Sequence, residues 1–248
     1  MEMSELSSAN MNALAMMLMS GEVRVVDCTA TLGPSTPLEH HASVVQPELE
    51  IHKISEYDAD GPFFAWNWLK IGEHAGTHFD APAAIASGQS GDTTDTVTAQ
   101  DLAGPVCVID VSDMCRADPA FRLTPDHIAT WEHQNTPIPK GAWVVMHSGQ
   151  TNTKRHPGPD GDAMTMLLER GIIGFGTDCI SIDAANAAST DAPCPAQQIL
   201  ARAGCYGLAS LNNLDQLPST GAILIAPPLK FVGGTGSPVR ALALVPGQ

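Results

Sequence analysis

The stretch Glu73-His74-Ala75-Gly76-Thr77-His78-Phe79-Asp80-Ala81-Pro82 puts His74, His78 and Asp80 within seven residues. Two imidazoles and a carboxylate are ligand types that divalent zinc or manganese accepts. Their spacing says more than their presence. In an extended chain, side chains alternate between faces, so His74, Gly76, His78 and Asp80 point the same way, and Gly76 leaves room between the rings for an ion. In a helix, Asp80 would stand about 240° round from His74 at roughly 100° per residue. Three convergent ligands therefore call for a strand or an extended loop. Phe79 and Ala81 form an apolar opposite face, which makes the segment half-buried. Buried imidazole and carboxylate groups need partners, and a metal ion is one. The alternative on residue types alone is a solvated loop that holds no ion. Pro82, which cannot donate to a ladder, suits the end of such a strand.

Short strands with few helices must position this stretch. Residues 4–20 predict a helix, from the spacing of Leu6, Met11, Leu14, Met17 and Leu18, with Gly21 as its stop. Val23 to Thr29 predicts a first strand. Residues 50–55 and 63–71 predict two strands joined by the turn at 57–62. Phe64, Trp66 and Trp68 then share one face, either as core or as an apolar wall for a flat ring substrate. The doublet His40-His41 is expected in an exposed loop. Gly104 to Val111 and Ala142 to Met146 are apolar almost throughout, as strands buried on both faces are. Thr124-Pro125 starts a helix, with Thr as N-cap and Pro at the first helical position. Further helices are expected at 162–170 and 196–203, and further strands at 172–177, 205–211 and 222–226. The glycines between 233 and 236 make a turn, not a phosphate loop, because neither glycine fingerprint is complete.

The 248 residues carry 44% hydrophobic and 16% charged side chains, enough to bury one core. We divide the chain into an N-terminal helix at 1–22, a possible oligomer contact, and a single domain at 23–248. A net charge of -15 excludes a basic nucleic-acid footprint and disfavours an anionic membrane surface. The six cysteines have no CxxC spacing and are expected as reduced thiols. No segment reaches about 18 uninterrupted apolar residues, and no signal-peptide pattern opens the chain. The expected location is the cytoplasm.

His74-Ala-Gly-Thr-His78-Phe-Asp80-Ala-Pro82 resembles the H-x-G-T-H-x-D-x-P signature of the metal-dependent cyclase family, which includes bacterial kynurenine formamidase and isatin hydrolase. Gly176-Thr-Asp178-Cys-Ile-Ser181-Ile-Asp183 and the segment from Ala222 to Ala243 also resemble that family, so the similarity runs from about Val23 to Val245. It implies a β-dominated α/β domain with the family's swivelling β/β/α fold, a homodimer or homotetramer, and His74, His78 and Asp80 as metal ligands. The departures matter as much. The family's proton-transferring His after the motif falls on Ala84. Its later His and Glu fall on Ala196 and near Ala209, where two-metal relatives complete a second ion site. One ion, Mn or Zn, is therefore expected. The strand ending at His147 usually reads Arg-Thr-Gly, so His147 is a candidate replacement for the missing proton-transfer group, the alternative being a loop histidine. Asp178 is expected to hold backbone N–H groups at a strand end.

These features imply an enzyme acting on a small molecule. The leading expectation is a metal-dependent hydrolase that opens a cyclic amide or ester, the ion polarising the carbonyl and acidifying water. A second is a cyclase or isomerase closing a ring in natural-product biosynthesis, where loss of the hydrolytic acid–base set would suit the chemistry. A third is a degenerate, non-catalytic member.

Overall fold

The apolar runs do form strands, and their order explains where the metal motif ends up. The computed structural model describes residues 8–38, 46–150, 155–185 and 194–247. In chain order the elements are α1 (Ser8–Ser20), β1 (Val23–Asp27), β2 (Glu50–Glu56), β3 (Ala65–Lys70), β4 (His78–Asp80), β5 (Ala103–Asp110), α2 (Ser112–Ala117), β6 (Arg122–Leu123), α3 (Pro125–Gln134), β7 (Trp143–His147), β8 (Gly158–Pro159), α4 (Gly161–Glu169), β9 (Gly174–Thr177), α5 (Pro195–Arg202), β10 (Tyr206–Ala209), β11 (Ala222–Ile225), β12 (Gly236–Pro238) and β13 (Leu242–Pro246). Nine strands make one mixed sheet in the order β1-β13-β11-β5-β7-β9-β10-β4-β12. The run β5-β7-β9-β10 is parallel, and the strands to either side join antiparallel.

The central strands β7, β9 and β10 are buried on both faces, as unbroken apolar runs require. Along β5, Val106 and Val108 enter one apolar cluster with Phe79, Trp143, Tyr206 and Leu224. Cys107 and Ile109 enter a second cluster, covered by Ile128 and Trp131 of α3, Met164 and Leu167 of α4, and Leu200 of α5. Thr124 caps α3 in a reciprocal box with His127, and Pro125 occupies its first turn. Gly174 has to be glycine, because a Cβ there would collide with the Trp143 ring.

Several expectations shift. Within the described residues α1 begins at Ser8 and ends before Gly21, whose φ is +82°. Its Met11, Met16 and Met19 stay exposed. β2 and β3 pair with each other as a hairpin outside the main sheet. Phe64, Trp66 and Trp68 are not core: they are 65%, 58% and 50% exposed. A hairpin without a second layer has nothing to bury them against; the Trp68 ring lies flat on His52 instead, with centroids 4.0 Å apart. The closing strands lie apart. β12 pairs with β4 at one sheet edge, and β13 lies between β1 and β11 near the other. Arg240 falls between them in sequence and is exposed, paired with Asp27 at 2.6 and 3.0 Å. The pairing holds the Asp27 carboxyl below its usual range. The doublet His40-His41 lies outside the described residues. No helix among the described residues is long and apolar enough to cross a membrane.

Candidate metal centre

His74, His78 and Asp80 converge: one ligand atom from each lies within 4.8 Å of the others. The route differs in part from simple alternation. Only His78–Asp80 is strand, and these two share a face by period two while Phe79 is fully buried on the other. His74 arrives from a turn. Gly76 is needed for its left-handed backbone, φ +61°, and because a Cβ there would collide with Leu32, not to space the rings.

β4 is an interior strand, so its neighbours also shape the site. Asp80 stands opposite Gly207 on one side and Gly236 on the other. A Cβ on Gly207 would come within 3.0 Å of Asp80 Cβ and Oδ2, and one on Gly236 within 2.7 Å of His74 Nδ1. The two glycines leave the space that the imidazole and the carboxylate occupy.

Hydrogen bonding fixes what the three groups present to one another. His78 Nδ1 lies 2.8 Å from the Gly76 carbonyl, which can only accept, so Nδ1 carries the proton. Nε2 is then the nitrogen left to meet Asp80 Oδ1, 3.5 Å away. His74 Nδ1 faces the same oxygen at 2.7 Å, while its Nε2 lies 3.2 Å from Thr235 Oγ1. Asp80 Oδ2 is buried with no hydrogen-bond partner, as is Gln197 Oε1; both residues line one small cavity of about 10 Å³. Burial works against the Asp80 carboxylate. The charge of His78, the hydrogen bond and charge of His74 and the nearby Gln197 amide outweigh it, so the carboxyl is held below its ordinary range. The pocket thus gathers two imidazole nitrogens and a carboxylate oxygen around one point. A divalent cation fits it, and the donor set suits Mn or Zn.

The helix carrying Gln197 is held by Asp183, which accepts from Ala196 N at 2.7 Å and Gln197 N at 3.0 Å. The three alanines at the family's functional positions lie along this region: Ala84 in the short 3-10 turn after Pro82, Ala196 in the first turn of α5, and Ala209 opposite His78. Ala196 and Ala209 are buried.

His147 stands at the carboxyl end of β7, and its ion-pair partners are not the triad. Nδ1 is 3.3 Å from Asp110 Oδ1, and Nε2 is 3.8 Å from Asp178 Oδ2. Asp178 does hold backbone N–H groups at the strand end, accepting from Ser148 and Gly149 at 2.8–3.1 Å. It also lines a cavity of about 280 Å³ together with Thr31, Gly76, Ser210 and Asn212. Through Asp178 and Gly76 that cavity reaches the turn between His74 and His78. Phe64, Trp66 and Trp68 remain on the outer hairpin. No disulfide joins the six cysteines, and burial pushes Cys28, Cys115 and Cys179 up to about 12, so these thiols offer no thiolate.

Glu73, Thr235 and Gln197 were not singled out as site residues from the sequence. Glu73 adjoins His74, but nothing local marks it, and Thr235 lies 161 residues from His74 in a run read as a plain turn.

Comparison with known proteins gives the same picture. A family model named Cyclase matches residues 26–184. An isatin hydrolase of Roseibium aggregatum is 51% identical, the match covering 95% of this chain and 97% of that protein. A kynurenine formamidase of Salinibacter ruber is 31% identical over 70% of this chain and 77% of its own length. A crystal structure of an isatin hydrolase bound to the product analogue thioisatinate superimposes with a TM-score of 0.92, at 49% identity, covering 97% of this chain and 99% of that one.

Proposed function

The chain belongs to the cyclase family of enzymes, and on that footing we propose that it is a metal-dependent hydrolase that opens the cyclic amide of isatin or a close isatin analogue. The observation that carries this is the meeting of His74 Nδ1, His78 Nε2 and Asp80 Oδ1 around one point, in a chain 51% identical to an isatin hydrolase. Those three atoms hold one ion, Mn or Zn. When bound, the ion supplies Lewis acidity, polarising the substrate carbonyl and making water a stronger acid.

The remaining chemistry falls to the chain. Ring opening adds water across the amide C–N bond: the carbonyl carbon gains oxygen and becomes a carboxylate, the ring nitrogen leaves as an amine, and one proton is released. With Ala84, Ala196 and Ala209 unable to take a proton, His147 is the nearest named candidate. It is flanked by Asp110 and Asp178, and Asp178 reaches the cavity beside Gly76. An imidazole between two carboxylates is well placed to accept and pass on a proton.

The protein acts as a homodimer or homotetramer. The support is the apolar surface that the single chain leaves in water: Ile51, Phe63, Phe64, Trp66, Trp68 and Leu69 on the hairpin are all exposed. Large apolar side chains left exposed on both faces of one hairpin mark an interface or a ligand surface. With a second copy over the hairpin, Phe64, Trp66 and Trp68 could serve as the apolar wall for a flat ring.

Incubation of the metal-loaded protein with isatin, with formylkynurenine and with simple lactones tests the reading. Loss of isatin absorbance with formation of isatinate, abolished by chelation, is the expected result. Turnover of formylkynurenine alone would reassign the substrate, and no turnover of any of them would overturn the hydrolase reading.

A further inference from the structure

The strongest unassigned arrangement is a relay behind His74. Three donors converge on Glu73 Oε2: Thr235 N–H at 3.0 Å, Gly236 N–H at 3.3 Å, and the Thr235 hydroxyl in a very short hydrogen bond. A hydroxyl has one proton, and Thr235 gives it to Glu73. Its oxygen can then only accept from His74 Nε2, 3.2 Å away. With Nε2–H held there, Nδ1, which faces Asp80 Oδ1 at 2.7 Å, is the ring nitrogen left to exchange its proton for a cation.

We propose that Thr235 and Glu73 are positioning residues for the metal: Glu73 orients the Thr235 hydroxyl, Thr235 accepts from His74 Nε2–H, and His74 is thereby held in the tautomer that offers Nδ1 to the ion. This rests on the reading of His74 as a metal ligand. The partner of a metal-ligating imidazole sets its tautomer and ring orientation, and loss of such a partner weakens metal binding by about ten- to a hundredfold. The relay also joins distant parts of the chain. Glu73 precedes the ligand turn, whereas Thr235 immediately precedes β12, which pairs with the ligand strand β4. Packing supports the same contact, since Gly236 leaves the space for the His74 ring.

The test is Mn and Zn affinity of the metal-free full-length protein, measured by titration calorimetry on the wild type, T235V, T235S, E73A and the E73A/T235V pair. Thermal midpoints of the metal-free forms report any loss of fold. T235V keeps the shape and loses the acceptor, so its affinity is expected to fall about ten- to a hundredfold, with T235S restoring most of it. E73A should weaken binding in the same direction, and the pair should be no weaker than T235V alone, because Glu73 acts through Thr235. For Mn, the electron paramagnetic resonance spectrum of T235V should differ from the wild type. T235V affinity within about twofold of wild type overturns the proposal, and strictly additive losses in the pair overturn the role of Glu73. A wild type that binds neither metal, or H74A binding as tightly as wild type, would overturn the metal-site reading itself. A neutral T235V beside an inactive H74A overturns only the relay.

Discussion

His78 Nε2 faces Asp80 Oδ1 at 3.5 Å while Nδ1 of the same ring donates to the Gly76 carbonyl, so Nε2 is the ring nitrogen turned toward the carboxylate. A cation placed between them would meet a nitrogen and an oxygen already aimed at it.

It follows that H78A, H74A and D80A should each lose stoichiometric Mn or Zn, read by elemental analysis after dialysis. Metal binding should also raise the thermal midpoint of the wild type, by mass action on the folded state, and leave that of H78A unchanged. Full metal retention in any of the three would remove that residue from the ligand set.

Gly236 carries the same logic without touching a ligand's chemistry. In G236A the new methyl would meet His74 Cε1 and lie 2.7 Å from Nδ1, so the ring must turn away from Asp80. Metal affinity should drop at least about tenfold, the scale of losing an orienting contact. The neighbouring G233A, where a Cβ meets nothing within 4 Å but φ is +71°, should leave metal affinity alone and cost about 1 kcal/mol of stability.

If His147 takes the proton, H147A should keep its metal while kcat falls about a hundredfold or more. H147Q, which keeps polarity but cannot accept and release a proton near neutrality, should fall as far. An unchanged kcat in both would return His147 to the role of a strand-end residue.

The exposed hairpin predicts its own outcome. Sedimentation should give at least twice the chain mass of 26.0 kDa, and W66E/W68E should shift it toward the monomer. A wild type that sediments as a monomer would refute the oligomer.

A pH effect follows from Glu132, which binds Arg170 with both oxygens at 3.0 Å and also accepts from Ile138 N. The Arg170 hydrogen bond, first among the causes, lowers the Glu132 carboxyl from 4.5. A lowered folded value means that the contribution is complete above the unfolded pKa and disappears as pH falls through the folded one. E132Q should therefore cost about 1–2 kcal/mol at neutral pH, with the gap to wild type closing below about pH 4.5. A gap that widened in acid would contradict the pairing.

Much of this molecule was legible in the residues. The buried strands at Val106–Ile109 and Trp143–Met146 announced themselves as unbroken apolar runs, and Thr124-Pro125 announced α3, because both signals are local. The triad was legible for the same reason, His78 and Asp80 sharing a strand face. What escaped notice depends on distant partners. Trp66 and Trp68 have the alternation of a core strand, and only the absence of a layer above β3 shows that they are outside. Arg240 has apolar neighbours in sequence, as a core strand would, yet its place is fixed by Asp27, 213 residues away. Thr235 looks like any turn residue until β12 is laid beside β4.

That last pairing has a bearing on biosynthesis. A ribosome delivers His74, His78 and Asp80 long before it delivers Thr235 and Gly236, so a nascent chain exposes its ligands while the strand that steadies them has yet to be made. Metal acquisition should then be a late event in the life of the polypeptide, and pulse-chase capture of radioactive zinc by stalled chains of increasing length would time it.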